Sequence, residues 1–275
     1  MHHFDFIEYH ISNKDVLQNK IHVHNDSYEI LQVIRGEGTF LIGETAYPFV
    51  PGALYLTKAV QLHCTHANEN STYIRSKLAV NATYLEKVLE TLEISPYIYP
   101  LFEKSGQHIP LSPKAAEQVD NRFKKMHEYY QEKTPDANTK LILSLIEILL
   151  ICKSETSNAE QKNESISDPL ISRTIKYINL NISSDLTIDM IAKEVFSSKY
   201  YLCRSFKKIL GISIMKYILN QRLTLAKEQL INTNNKCSDI AMSTGFSSFS
   251  YFCRAFKEEE GISPTTYRKL HGKQF

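Results

Sequence analysis

Hydrophobic and polar positions follow two different periods along the chain, and the shorter period comes first. Between about residues 22 and 65, short segments rich in β-branched and aromatic residues are separated by turns that contain glycine or proline. The clearest of these segments are 28–34, 39–42 and 53–56. Several short strands joined by close turns are typical of a β-sandwich or a small barrel.

From about residue 81, apolar residues recur every three or four positions, which is the period of an amphipathic helix. We therefore expect a helical extension over residues 81–154. The third of its apolar stripes is the most apolar, and it fits either a helix packed on the barrel or a subunit interface. The three stripes are Leu85, Val88, Leu89 and Leu92; Val119, Phe123 and Met126; and Leu141, Leu145, Ile148 and Leu149.

A polar segment follows the third stripe. Residues 154–169 are rich in serine, glutamate and asparagine and offer almost nothing to bury, which indicates a linker. We predict a two-domain α+β protein. A β-barrel or sandwich with its helical extension covers 1–154, the linker covers 155–169, and an all-α domain covers 170–275.

The second domain contains an internal repeat. Residues of its first half recur 49 positions later and then, after a single insertion, 50 positions later. A repeat of this kind predicts two copies of one small structural unit. The matched residues are Ile191, Ala192, Tyr201, Cys203, Arg204, Phe206, Lys207, Gly211, Ile212, Ser213 and Tyr217 in the first copy, and Ile240, Ala241, Tyr251, Cys253, Arg254, Phe256, Lys257, Gly261, Ile262, Ser263 and Tyr267 in the second.

Each copy has the pattern of a helix-turn-helix. In the first copy, Thr187 is a plausible N-cap of a short helix, and Ser198 is a plausible N-cap of a second helix over about 199–209. In the second copy, Gly245 stands where the chain reverses, because glycine adopts positive φ readily. The first copy has Phe196 at that point. A long helical pattern over about 214–232 joins the copies and can hold them rigidly.

The second helix of each copy has an apolar face and a basic face. Residues spaced i, i+3, i+4 and i+7 share one side of a helix. An arginine there can pair bidentately with guanine in a major groove, and lysines can contact phosphates. The alternative is an ordinary solvated helix face. The presence of the same basic face in both copies favours DNA binding. The candidates are Lys199, Tyr200, Cys203, Arg204 and Lys207 in the first copy and Phe249, Ser250, Cys253, Arg254 and Lys257 in the second.

The charge distribution supports this interpretation. The whole chain carries 32 Lys and Arg against 30 Asp and Glu, a formal net charge of +2. Residues 166–275, however, carry 16 basic and nine acidic side chains, whereas residues 1–165 carry 16 basic and 21 acidic ones. A polyanionic partner would therefore meet the second half of the chain.

Residues 170–270 strongly resemble the DNA-binding domain of the AraC/XylS family of bacterial transcription regulators. The resemblance implies that Tyr200, Cys203 and Arg204 face bases from the first recognition helix, and Phe249, Ser250, Cys253 and Arg254 from the second. It also implies double-stranded promoter DNA, RNA polymerase and a second copy of the chain as partners. The matching residues include Gly245-Phe246-Ser247, Tyr251 to Lys257, Gly261 to Pro264 and Tyr267-Arg268 in the second copy, and Ile191-Ala192, Ser198, Leu202, Arg204, Phe206-Lys207 and Gly211 to Ser213 in the first.

The first domain resembles the cupin-like sensor of the same family more loosely. The first cupin motif is matched in spacing by His22-Val23-His24, Glu29 and Gly36. Tyr55, however, stands where the second motif would place a metal-binding histidine. Three interpretations stay open: a pocket for a small-molecule effector, a metal site, and a purely structural barrel mouth. We expect the first, with no bound metal. The effector-binding candidates are His22, His24, Glu29, Tyr55 and His63.

Several other classes of protein do not fit. No arrangement typical of catalysis stands out, so we expect neither an enzyme nor a resident cofactor. No apolar run reaches the length of a membrane span, the start lacks a secretory signal, and five cysteines suggest no disulfide framework, so we expect a cytoplasmic protein without membrane contact. We interpret the chain as an effector-controlled transcription regulator that binds specific DNA sequences. A metal-dependent cupin enzyme with a helical association domain, and a regulator without effector, are the alternatives.

Overall fold

The structure is a computed structural model, and it describes residues 3–12, 26–43, 45–59, 61–68, 71–103, 107–132, 134–158 and 168–272. The chain divides into two compact units, residues 1–167 and 168–275. Within the described ranges, no helix combines the length and the apolar character that crossing a membrane requires.

Unit 1 contains two antiparallel β-sheets. The larger sheet has the strand order β1-β7-β2-β5-β8 and the smaller has the order β4-β3-β6. Strand β8 lies within the segment that the sequence predicts as purely helical, and it pairs with β5. The strands are β1 (Phe4–Ser12), β2 (Ser27–Arg35), β3 (Gly38–Ile42), β4 (Thr45–Pro48), β5 (Leu54–Thr57), β6 (His63–Ala67), β7 (Ile74–Asn81) and β8 (Gln107–Ile109).

Strand β2, in the middle of the large sheet, is buried on both faces. Successive side chains of a strand point to opposite faces, so Ile30 and Leu31 of β2 belong to different clusters. Ile30 packs in a core with the helices, whereas Leu31 packs with side chains of the small sheet such as Phe40. Burial on both faces explains why β2 reads as a nearly continuous apolar run.

The helices of unit 1 cover the outer face of the large sheet. All three predicted stripes contribute to that core, and the residues of the third stripe are buried within it. Helix α5 continues to Asn158, so residues 155–158 of the predicted linker are helical. Glu155 accepts hydrogen bonds from the backbone and hydroxyl of Ser112. The helices are α1 (Ala82–Thr91), α2 (Ser95–Ile98), α3 (Pro100–Glu103), α4 (Pro113–Glu132) and α5 (Ala137–Asn158).

Unit 2 is all-helical and holds the two repeats. Thr187 caps α7 and Ser198 caps α8, which confirms both predicted N-caps. Helix α9 runs between the repeats as the sequence predicts, and the apolar residues of its predicted pattern, such as Ile218, Leu223 and Leu230, are buried. The helices are α6 (Pro169–Leu180), α7 (Ile188–Glu194), α8 (Lys199–Leu210), α9 (Ile214–Asn232), α10 (Cys237–Ser243), α11 (Phe249–Glu260) and α12 (Pro264–His271).

Candidate DNA-binding surface and effector site

Helices α8 and α11 have the same construction. Each has 12 residues, begins after a serine whose side chain accepts a hydrogen bond from the third backbone N–H of the helix, and ends at a glycine with positive φ. Phe206 and Phe256 occupy the eighth position of their helices and are fully buried. The caps fix where each helix starts, and the buried phenylalanines fix its rotation about its axis.

The basic faces predicted to read DNA, called the reading faces below, lie on the exposed sides of these helices. Arg204 and Arg254 are exposed, and Tyr200 is 76% exposed. The two cysteines of these faces are half-buried. The remaining predicted contacts, Lys199, Lys207, Phe249, Ser250 and Lys257, are exposed as well.

Two basic side chains of this surface have specific partners within unit 2. The Lys199 ammonium lies 2.9 Å from Asp189 of α7, and both side chains are exposed. The Arg254 guanidinium lies 5.7 Å from the centre of the Tyr251 ring, in the range of a cation–π contact. The Tyr251 ring therefore limits the positions of Arg254 before any ligand is bound.

The turn of the second motif packs against the loop between α6 and α7. Arg222 of α9 donates hydrogen bonds from Nε to the Ile182 carbonyl (3.0 Å) and from Nη2 to the Ser184 carbonyl (2.7 Å). A Cβ on Gly245 would lie 2.6 Å from the same Ile182 oxygen. Glycine is therefore required there, because any side chain would prevent the close approach of this turn to the loop between α6 and α7.

The cysteines of unit 2 are free thiols. Burial raises the pKa of Cys253, and the neighbouring Cys237 raises it further. Because thiolates are the reactive form, a raised pKa disfavours oxidation at this position. This supports the simpler interpretation of Cys253 as a small side chain of the reading face.

In unit 1, two of the five effector-binding candidates meet in the space between the sheets. Glu29 and His63 are both 1% exposed, and His63 Nε2 lies 3.5 Å from Glu29 Oε2. His63 Nδ1 donates to the Gln61 carbonyl at 2.8 Å, because a carbonyl can only accept. His22 and His24 lie outside the described residues. The Tyr55 hydroxyl is engaged elsewhere, donating to the Pro48 carbonyl and accepting from the Val50 amide.

Two further polar residues belong to this cluster. Lys77 of β7 lies 2.8 Å from Glu29 Oε2, and Thr57 is directly opposite Glu29 in the pairing of β2 with β5. The buried Thr57 hydroxyl has no hydrogen-bond partner within the described part of the chain. The sequence offered a sign of Lys77, since a lysine inside an otherwise strand-like run (74–81) requires a partner when the strand is central.

The same residues do not make a metal centre. Among the residues that the structure describes, no group of three or more His, Cys, Asp or Glu side chains is arranged to hold a metal ion. Lys77 stands beside Glu29 where a cation would otherwise lie, and a lysine ammonium is not a metal ligand.

An apolar groove of about 740 Å³ lies on the outside of unit 1, where the start of β1 meets α1 and α5. Its lining includes Val88, Leu92, Ile142 and Leu143. Leu143 is 58% exposed, and Leu150 is exposed one heptad further along α5. The sequence stripes had indicated only the buried side of α5.

Comparison with known proteins agrees with this arrangement. A family model described as an AraC-like ligand binding domain matches residues 7–149, and one described as a helix-turn-helix domain matches residues 191–270. An uncharacterized HTH-type transcriptional regulator, YfiF of Bacillus subtilis (strain 168), is 31% identical over 233 residues, which are 82% of this chain and 71% of the relative.

Two further matches cover a smaller part of this chain. The regulatory protein SoxS of Salmonella typhimurium is 36% identical over 99 residues, 36% of this chain and 92% of SoxS. The solved C-terminal domain of AraT, a response regulator from Geobacillus stearothermophilus, is 32% identical, with a TM-score of 0.38 over 40% of this chain and 90% of that domain. With a ligand-binding match over more than half of its length and a helix-turn-helix match after it, the chain belongs to the AraC family of transcription regulators, which bind DNA under the control of an effector.

Proposed function

We propose that the exposed faces of α8 and α11 enter successive major-groove segments of one promoter and read its sequence. The observation that carries this proposal is the duplicated basic face, held at the same register by the same caps. In this arrangement Arg204 and Arg254 contact bases, Lys207 and Lys257 contact phosphates, and Lys199 exchanges Asp189 for a phosphate. Tyr200, Cys203, Phe249, Ser250 and Cys253 fill the space against the base edges.

Binding of the full-length chain to a selected duplex, measured at several salt concentrations, tests these roles. Arg204→Ala should cost about 1–3 kcal/mol on the specific site and little on random DNA. Lys257→Ala should weaken binding to all sequences equally and lower the salt slope by about one. Lys176→Ala, on the exposed side of α6, removes the same charge outside both motifs and serves as the control. Equal losses on specific and random DNA for Arg204→Ala would contradict base readout.

We further propose that the effector is a polar small molecule that binds at the Glu29, Thr57, His63 and Lys77 cluster. Buried polar groups are normally satisfied, so the unpartnered Thr57 hydroxyl supports a ligand at this point. Thermal-shift screening of small polar metabolites tests the proposal. Thr57→Val conserves shape and should abolish the shift caused by a hit, while the exposed Thr83→Val should preserve it. A hit whose shift survives Thr57→Val binds elsewhere.

The active species in this proposal is a homodimer that forms through α5. Leu143, Ile146 and Leu150 follow the spacing of a coiled-coil seam, and the exposed leucines are too large to stay in water without cost. Sedimentation of the full-length protein should give a dimer, and Leu143→Lys with Leu150→Lys should give a monomer. Leu180→Lys, at an exposed leucine of unit 2, is the matched control. A monomeric wild-type protein would contradict the proposal.

The same proposal makes the protein a cytoplasmic regulator without catalytic activity that acts on RNA polymerase at its promoter. Family membership supports this part. In vitro transcription from a selected promoter, with and without a thermal-shift hit, measures it directly. A footprint and transcript level that no hit changes would instead indicate a regulator whose sensor only mediates dimer contacts.

A further inference from the structure

Helices α8 and α11, whose exposed faces are proposed to read DNA, resemble each other closely in sequence. Counted from their first residues, Lys199 and Phe249, they carry the same amino acid at the third, fifth, sixth, eighth and ninth positions. The eighth position is the buried phenylalanine that fixes helix rotation, and the third is a tyrosine. The fifth, sixth and ninth positions form the shared outer face: Cys203, Arg204 and Lys207 in α8, and Cys253, Arg254 and Lys257 in α11.

The two helices also expose and cap these matching residues in the same way. Both arginines are exposed, both neighbouring cysteines are half-buried, and both helices start at a serine cap and end at a glycine with φ near 75°. The cap sets the position of the Cys–Arg pair along the helix, and the buried phenylalanine sets its direction, so the pair leaves the backbone at the same place on each helix. Beyond that point the Arg254 guanidinium also contacts the Tyr251 ring.

The chemistry of the pair selects one base. An arginine fork pairs bidentately with the O6 and N7 acceptors of guanine, which no other base offers together. The neighbouring cysteine is small and only a weak donor, so it adds no competing hydrogen-bond preference. Base choice at this position therefore falls to the arginine in both motifs.

The first turns of the two helices differ. Lys199 and Tyr200 stand in α8 where Phe249 and Ser250 stand in α11. A long cation and a phenol present different groups from a phenyl ring and a short hydroxyl. Different groups at these positions favour different base pairs in the two half-sites, which would give the operator a direction.

We infer that the two half-sites bound by one chain share a guanine read by Arg204 and Arg254, and differ at the base pairs read by the first turns. This inference rests on the proposed DNA-binding function and adds the base pattern of its target. The half-sites lie about 10–10.5 base pairs apart if the helices enter successive major-groove segments.

Selection from random duplexes with the full-length protein, followed by affinities for every single-base change, tests the inference. Each half-site should contain a guanine whose replacement lowers affinity about 5- to 150-fold. Arg204→Ala should abolish that discrimination in one half-site, and Arg254→Ala in the other. Preference retained in the untouched half shows that each variant is folded. Arg173→Ala, at an exposed arginine of α6, should leave both guanines discriminated.

Exchange of the first turn gives a second test. Lys199→Phe combined with Tyr200→Ser gives α8 the first turn of α11, and selection should then yield two half-sites of matching sequence. Selective binding to half-sites without a common guanine, or arginine variants that act at different bases, overturns the inference and leaves the proposed function standing. Absence of sequence-selective, salt-dependent binding overturns both.

Discussion

Phe196 and Gly245 occupy the same position in two copies of one turn. Each follows the first helix of its motif with positive φ, 56° and 90° respectively, and each donates its N–H to the carbonyl three residues earlier. The N–H of the next residue donates to the carbonyl five positions back, from Ser197 to Ala192 and from Phe246 to Ala241. These bonds complete a Schellman motif in both copies. Glycine is the usual residue at such a position, yet the first copy has a phenylalanine whose side chain is 91% exposed.

We expect Phe196→Gly to stabilise the protein by about 1 kcal/mol. Left-handed φ at a bulky residue costs on the order of 1–3 kcal/mol, and the larger backbone entropy of glycine in the unfolded chain offsets part of the gain. The exposed ring buries almost nothing that would be lost. Thermal unfolding of unit 2 measures the change, and an unchanged or lower melting temperature would show that the ring makes a stabilising contact.

Gly245→Ala should have the opposite effect, with a loss of more than about 2 kcal/mol. The new Cβ meets the Ile182 carbonyl oxygen at 2.6 Å and Arg222 Nε at 2.8 Å, besides the left-handed backbone. Gly261→Ala is the matched control. Gly261 has similar φ, but no heavy atom lies within 4 Å of the point that its new Cβ would occupy, so only the backbone strain remains. Equal losses at the two glycines would mean that the close packing around Gly245 adds nothing.

Lys77→Met should destabilise unit 1 by about 3–5 kcal/mol, because it leaves the buried Glu29 carboxylate without its ammonium partner. Adding Glu29→Gln removes the uncompensated charge and keeps a hydrogen-bonding amide near His63. The double variant should therefore recover at least half of the loss. Urea unfolding followed by circular dichroism measures both. A double variant as unstable as the single one would argue against charge burial as the cause.

Stability of unit 1 should fall as the pH drops from about 6.5 to 4. Burial lowers the pKa of His108 to about 4 from its ordinary value of 6.5. Between these values the unfolded chain binds the proton and the folded chain does not, so acid favours unfolding. The full window corresponds to about 3 kcal/mol. The effect is complete below pH 4 and absent above about pH 6.5.

His108→Phe should remove this part of the pH dependence. The ring stacks on Tyr55 and its Nε2 has no hydrogen-bond partner among the described residues, so phenylalanine fits the site. Unfolding free energies of both proteins at pH 4, 5, 6 and 7 give the difference directly. The exposed His271→Gln serves as control and should follow the wild type. Parallel pH curves for wild type and His108→Phe would rule out His108 as the titrating group.

Most of the helical structure of unit 2 could be predicted from the sequence, because the interactions that form it are between residues close together in the chain. Serine caps, helical periodicity and the repeat each depend on residues close together in the chain, so the capping roles of Thr187 and Ser198 could be predicted and are confirmed. The family, the fold class and the regulatory function are confirmed as well. The base contacts of the individual side chains stay predictions.

Less of unit 1 could be predicted from the sequence, because its polar cluster and its β8 depend on contacts between strands far apart in the chain. Glu29 and His63 were chosen from a motif, but Lys77 and Thr57 enter the same cluster only through strand pairing. The three-residue strand β8 was missed, since so short a segment has no period of its own and forms by pairing with β5.

Residue spacing was enough to predict the N-caps Thr187 and Ser198 and the apolar faces of α8 and α11, since these properties depend on neighbours in the chain. The packing of Gly245 on the Ile182 carbonyl, and the sharing of Glu29 by Lys77 and His63, emerged from the folded arrangement alone. Close approach between segments far apart in the chain depends on how whole elements pack together, and no local pattern records it.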